Sequence, residues 1–216
     1  MTSLPRAPRE LAEGLVVRYA PPEPRGAVLV LPGGRSEGPG APPFLDLPAL
    51  RMRPFATALL RPARANQVLV AQVRYRHRGW NGERADPVQD TEAVLAGLRA
   101  RIGEVPVVLV GHSMGGRAAL RAAGDPAVRG VVALAPWCPP GEPVAHLAGR
   151  RLYLLHDETD RITAAAQSWA FVRRARAIGA DAVGIPMSVG GHTMLRGASR
   201  WHRMTTQLAM GLLAGD

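Results

Sequence analysis

The chain has 216 residues, 47% hydrophobic and 20% charged, a size and balance that suit one soluble globular domain able to bury a core without disulfide or metal staples. Its formal charge is +10, and all 27 basic side chains are arginine. The arginines are scattered and aromatics are only 5% of residues, which excludes a nucleic-acid surface built from a basic stripe and stacking platforms and points to a coding bias for arginine in a chain rich in Ala, Gly and Pro.

Cys138 is the single cysteine, so an intrachain disulfide and a zinc-type cluster are both excluded. No window reaches the ~18 apolar residues a bilayer span requires, and Met1–Pro8 has no apolar signal core. The expectation is a cytoplasmic protein with no membrane or nucleic-acid partner, a monomer or small homo-oligomer, in which residues 1–14 form an irregular arm.

In chain order, Leu15–Tyr19 is the first short strand and the wholly apolar Ala27–Leu31 the second. The latter runs straight into Pro32-Gly33-Gly34-Arg35-Ser36 and a Gly/Pro-rich loop reaching Pro43. Leu47, Leu50, Phe55 and Leu59 recur at helical spacing, which predicts a covering helix over Leu45–Leu60 interrupted near Pro54. Gln67–Tyr75 reads as a strand, followed by a polar, glycine-bounded loop that carries Trp80. Asp86 and Pro87 mark a helix start, with Asp86 as the N-cap, and Val94, Leu95 and Leu98 supply a buried stripe up to about Ile102.

Val105–Val110 is an unbroken apolar run, as expected of a parallel strand covered on both faces. It ends in Gly111-His112-Ser113-Met114-Gly115-Gly116, after which Ala118, Ala119, Ala122 and Ala123 give a helix a small-residue inner face. Strands follow at Val131–Trp137, Arg151–His156 and Ala182–Ser188, and helices at Ala164–Ile178 and Leu195–Leu213. Cys138–Arg150 is too short and too rich in Pro and Gly for a lid. This β/α alternation specifies a mostly parallel sheet with helices on both faces.

Gly-x-Ser-x-Gly between an apolar strand and a helix puts Ser113 on a tight turn, where side chains at Gly111 or Gly115 would collide with backbone. A serine hydroxyl becomes a nucleophile only when a base takes its proton and a third group orients that base. His192, in the loop Gly190-Gly191-His192, is the candidate base. Asp157 and Asp160, both after the Arg151–His156 strand, compete for the role of acid; Asp160 could equally cap the helix that follows.

With Gly111–Gly116 between strand and helix and Gly190-Gly191-His192 after the last strand, the chain from about Gly26 onward resembles a small α/β-hydrolase, similar to the lidless dienelactone-hydrolase-like and serine-aminopeptidase-like groups. The resemblance implies the chain order Ser, acid, His. Its strand–Gly-x-x-Asp pattern falls on Asp157-Glu158-Thr159-Asp160 and so makes Asp160 the acid, with Asp157 standing where the family has Gly. It also implies an oxyanion hole from the backbone N–H of Met114 and a second donor at Gly34 or Arg35, in a loop where Pro32-Gly33 replaces the usual His-Gly.

The implied activity is hydrolysis of a carboxylic ester or thioester through an acyl-enzyme on Ser113, acting on a small-molecule acyl substrate with no cofactor and no metal. Trp80, Trp137 and Met194 are candidate lining for an acyl pocket. An acyltransferase or cyclase using the same acyl-enzyme, and a non-catalytic binding protein on this scaffold, are the rival readings.

Overall fold

The computed structural model describes residues 13–43 and 45–215. The arm expected over residues 1–14 therefore lies outside the described residues, save for a turn at Glu13 and Gly14. Seven strands, β1 (Leu15–Tyr19), β2 (Gly26–Leu31), β3 (Val68–Val73), β4 (Val107–His112), β5 (Val128–Leu134), β6 (Arg151–Asp157) and β7 (Asp181–Met187), form one sheet in the order β1-β3-β2-β4-β5-β6-β7. Only β1 runs antiparallel, against β3; every other pairing is parallel.

The helices are α1 (Leu47–Ala65), α2 (Asp86–Ile102), α3 (Met114–Ala122), α4 (Ala165–Ala177) and α5 (Ala198–Ala214). Alternation along the strands divides the core. Ala27, Leu29 and Leu31 of β2 and Leu109 of β4 pack with α2, α3 and α4, while Val28, Val30, Val108 and Val110 pack with Met52, Phe55 and Leu59 of α1 and Trp201 of α5. The predicted stripe Val94, Leu95 and Leu98 is buried, as are Ala118, Ala119, Ala122 and Ala123. The result is the mostly parallel, doubly covered sheet expected, and among the described residues only a single 3-10 turn (Ala145–Leu147), with no inserted lid, lies between β5 and β6. Among the described residues no helix is long and apolar enough to cross a membrane.

Two local expectations fail. Helix α1 is not interrupted at Pro54: it runs unbroken through both Pro54 and Pro62. Pro54 lies on the exposed side while Met52, Phe55, Ala56, Leu59 and Ala63 are buried, so packing of the apolar face outweighs the lost backbone bond. Nor is Asp86 the N-cap of α2; Ala85 holds that place with φ 45°, and Asp86 begins the helix as a buried carboxylate that accepts from Asn81 Nδ2 at 2.6 Å and Arg84 Nη2 at 2.9 Å.

Candidate active site

Strand β4 delivers Ser113 to the sheet's C-terminal edge, where ligands of open α/β sheets collect. Ser113 has φ 53° and ψ −116°, and its backbone is fixed by three bonds: its N–H donates to Leu134 O at 3.0 Å, and its carbonyl accepts from Arg117 and Trp137, each at 3.1 Å. A Cβ on Gly111 would lie 2.2 Å from Gly115 O, and one on Gly115 would lie 2.3 Å from Pro32 O. Both glycines are thus required for β4, the loop after β2 and the start of α3 to meet. The strained serine sits at the N-terminus of α3, whose dipole and free first-turn N–H groups favour a developing negative charge.

His192 lies in a 3-10 turn, Gly191–Thr193, after β7. Its Nδ1 is 2.8 Å from Asp160 Oδ2, so this nitrogen carries the proton and Nε2 is left with a free lone pair. Asp160 does not cap α4; its Oδ1 accepts from the N–H groups of Ile162 (2.7 Å) and Thr163 (3.1 Å) and folds its own loop. Burial raises the Asp160 carboxyl, but those bonds together with His192 outweigh it and leave the pKa below the usual carboxylate range. Asp157 takes a different part. Its Oδ2 accepts the Gly191 N–H at 2.7 Å and its Oδ1 accepts Thr159 N–H at 2.9 Å, which anchors the His192 turn without touching the imidazole.

Sequence reasoning passed over three further residues here. His112 Nε2 donates to the His192 carbonyl at 2.9 Å, and the two rings lie 4.8 Å apart between centroids, which brings the His192 turn over the residue next to Ser113. Burial, reinforced by His192, lowers the His112 pKa to about 3, so the ring is neutral. Thr163 places its hydroxyl 2.8 Å from Asp160 Oδ2 and 3.1 Å from His192 Nδ1. His156, wholly buried and held neutral chiefly by burial, has Nε2 3.2 Å from Asp160 Oδ2 and 3.1 Å from Thr163 O, and accepts from the Ser168 hydroxyl at Nδ1. A histidine closing the apolar run of β6 was the one signal available for it. Among the described residues the Ser113 hydroxyl makes no hydrogen bond to His192; contacts of this kind are commonly long until substrate is bound.

Gly34 and Arg35, the two candidates for a second oxyanion donor, differ in their surroundings. Arg35 N–H donates to Arg78 O at 3.0 Å and Arg35 O accepts from Trp80 N–H, so its backbone ties the loop after β2 to the loop after β3. Gly34 faces Met114 directly: a Cβ there would fall 2.2 Å from Met114 Cε.

Trp80 and Trp137 meet edge to face at 5.9 Å, with the Arg117 guanidinium 3.8 Å and 4.4 Å from their rings. With Ser36, Glu37 and Arg121 they line a cleft of about 510 Å³. Met194, expected beside them, is instead 1% exposed in the apolar cluster of Met52 and Trp201, so it serves the core and not a pocket wall. Cys138 is buried, and burial followed by Glu142 raises its thiol to about 12.

Residues 28–215 match the family described as alpha/beta hydrolase. No curated protein is similar enough in sequence to match. Among solved structures the chain is similar to Est1E from Butyrivibrio proteoclasticus (12% identity, 93% of each chain covered, TM-score 0.65). It is also similar to the propionate-bound thermophilic esterase Est2 of the planctomycete Thermogutta terrifontis (17% identity, 93% of this chain and 88% of that one, TM-score 0.65). A serine hydrolase without a lid from Xanthomonas campestris superposes at TM-score 0.56 with 18% identity, over 93% of this chain and 86% of that one. At these identities the likeness is one of fold.

Proposed function

The chain belongs to the alpha/beta hydrolase family, and from that premise we propose that it is a single-domain serine hydrolase that cleaves a carboxylic ester or thioester through an acyl-enzyme on Ser113. The observation that carries this reading is the 2.8 Å contact between Asp160 Oδ2 and His192 Nδ1 on a turn held against the elbow by His112. The contact leaves His192 Nε2 as the only ring nitrogen able to take the serine proton. Two solved structures of similar fold are described in print as an esterase and a serine hydrolase, which agrees with it.

In the proposed mechanism the substrate closes the gap between Ser113 Oγ and His192 Nε2. His192 takes the hydroxyl proton as Oγ attacks the acyl carbon, and the imidazolium is stabilised by Asp160. The carbonyl oxygen becomes an oxyanion held by the Met114 and Gly34 N–H groups; losing one such donor typically costs ~10²–10³ in rate. His192 returns the proton to the departing alcohol or thiol, then repeats the sequence with water and releases the acid. Transfer to another alcohol or amine requires water to be kept out, and the lidless edge between β5 and β6 favours hydrolysis.

The test is Ser113→Ala. Turnover of chromogenic acetate and butyrate esters is expected to fall by about 10⁴ or more, and labelling by a serine-directed phosphonate to vanish. Full activity in that variant would overturn the proposal.

A further inference from the structure

We propose that Asn81 is a positioning residue for the oxyanion hole, an assignment that rests on the ester-hydrolase reading. Held between Gly38 and Asp86, it buckles the loop after β2 to the head of α2 and so fixes the Gly34 N–H where the acyl oxygen becomes charged.

The need for a buckle lies in the loop itself. With Gly33, Gly34, Gly38 and Gly40, it has much backbone freedom to lose on ordering and few side chains to pack. An oxyanion donor is effective only when it is aimed before the charge develops. The Gly34 N–H meets no acceptor among the described residues, whereas the next N–H, of Arg35, is committed to Arg78 O. The free donor thus stands at the edge of a stretch that is tied down.

The tie is a ribbon between two loops. Arg35 O accepts from Trp80 N–H at 2.9 Å, Ser36 O from Asn81 N–H at 3.0 Å and Gly38 O from Gly79 N–H at 3.1 Å. Gly79 is required for so close an approach, since a Cβ there would lie 2.3 Å from Gly38 N. Asn81 closes the ribbon. Its Oδ1 accepts the Gly38 N–H at 2.8 Å, and its Nδ2 donates to Asp86 Oδ2 at 2.6 Å. Its φ of 61° is left-handed, a conformation asparagine adopts more readily than most residues. The supports behind it are rigid. Asp86 is 3% exposed; burial raises its carboxyl, but Asn81 and then Arg84 outweigh that and leave its pKa below the usual range. Trp80 is buried with the Arg117 guanidinium of α3 over its ring. Only an amide can take the loop N–H with one end and reach the carboxylate with the other; aspartate offers the acceptor without the donor.

The experiment pairs peptide-resolved amide hydrogen exchange with kinetics in Asn81→Gly, which keeps the backbone at ease and removes the side chain. Exchange over residues 33–38 should quicken, while that over 190–193, the His192 turn, stays as in the wild type. On a chromogenic acetate ester kcat should fall roughly tenfold to a hundredfold, less than for outright loss of a donor, with KM within about twofold. Affinity for an alkyl trifluoromethyl ketone, whose adduct on Ser113 carries an oxyanion, should fall by the same factor as kcat/KM. The pH midpoint of kcat/KM should not move, because the His192–Asp160 pair is untouched.

A reciprocal swap guards against a general loss of folding. Asn81→Asp alone sets two carboxylates against each other and should lose at least as much as Asn81→Gly. Adding Asp86→Asn faces a donor with an acceptor again and should recover most of kcat. Unchanged exchange over 33–38 in Asn81→Gly overturns the proposal, as does faster exchange there with kcat and ketone affinity intact. So does a swap that restores the urea midpoint but not kcat. Turnover and ketone binding that survive Ser113→Ala overturn the ester-hydrolase reading and this assignment with it, an outcome told apart because exchange over 33–38 still quickens in Asn81→Gly.

Discussion

Asp157 and Asp160 stand three residues apart at the end of β6, and their neighbours give them different tasks. Asp160 Oδ2 meets the His192 ring, whereas Asp157 Oδ2 holds the backbone N–H of Gly191. Replacing Asp160 by Asn sets an amide where Nδ1–H needs an acceptor and favours the other tautomer, whose Nε2 carries a proton and cannot act as base. A fall of ~10³–10⁴ in kcat/KM is expected for Asp160→Asn. Asp157→Asn retains a carbonyl oxygen for Gly191, and its loss should stay within about tenfold, a few kcal/mol below the other. Steady-state kinetics on a chromogenic acetate ester decide the matter, and equal losses in the two variants would refute the assignment. The same reasoning explains what pattern reading missed. Thr163 and His156 meet Asp160 because the 158–164 loop folds back on the end of β6, and no spacing rule in a single sequence reports a loop's curvature.

At the scale of elements, the parts whose residues declare their own period were legible. The apolar runs of β2 and β4 and the Gly-x-Ser-x-Gly turn were placed within a residue or two, because the chemistry that marks them is local. The ends of elements were less so, and α1 shows why. Its expected break at Pro54 was a propensity argument that the buried face of five residues outweighs. Its true end is at Ala65, and Gln67, expected to open the next strand, instead takes φ 53° just past the C-cap Asn66. A left-handed residue at that place is usually glycine, and a side chain there costs about 1 kcal/mol. Gln67 is exposed, so Gln67→Gly should raise the stability in urea by about 0.5–1 kcal/mol and leave turnover unchanged. A loss of stability would mean that the side chain makes a contact worth more than the strain. Likewise, Met194 carried an apolar signal that suits a pocket wall and a core equally; only the φ of 57° that turns it inward beneath the His192 loop distinguishes the two.

For the molecule as a whole, the shifted histidines and carboxylates around the His192 turn act in one direction with pH. His112 is lowered to about 3 by burial and then by His192, and His156 is also lowered, first by burial. Both stay neutral in the folded chain while an unfolded histidine takes up a proton below about pH 6.5. The unfolded state therefore binds more protons, and stability that is complete above that pH drains away as pH falls toward the folded value, by about 1.4 kcal/mol per pH unit for each such group. Asp157 and Asp160, held below the usual range once their hydrogen bonds have outweighed the cost of burial, add a second loss that starts near pH 4. Self-repulsion acts in the same sense: the chain already carries a formal charge of +10, and acid raises it further by neutralising carboxylates. Urea midpoints measured at pH 8, 5.5 and 4 should fall monotonically. In His112→Asn, which keeps a donor for the His192 carbonyl but cannot titrate, the decline between pH 8 and 5 should be shallower than in the wild type. Parallel declines in the two proteins would show that the ring beside the nucleophile is not held neutral, and the claim that burial dominates its charge would fall with it.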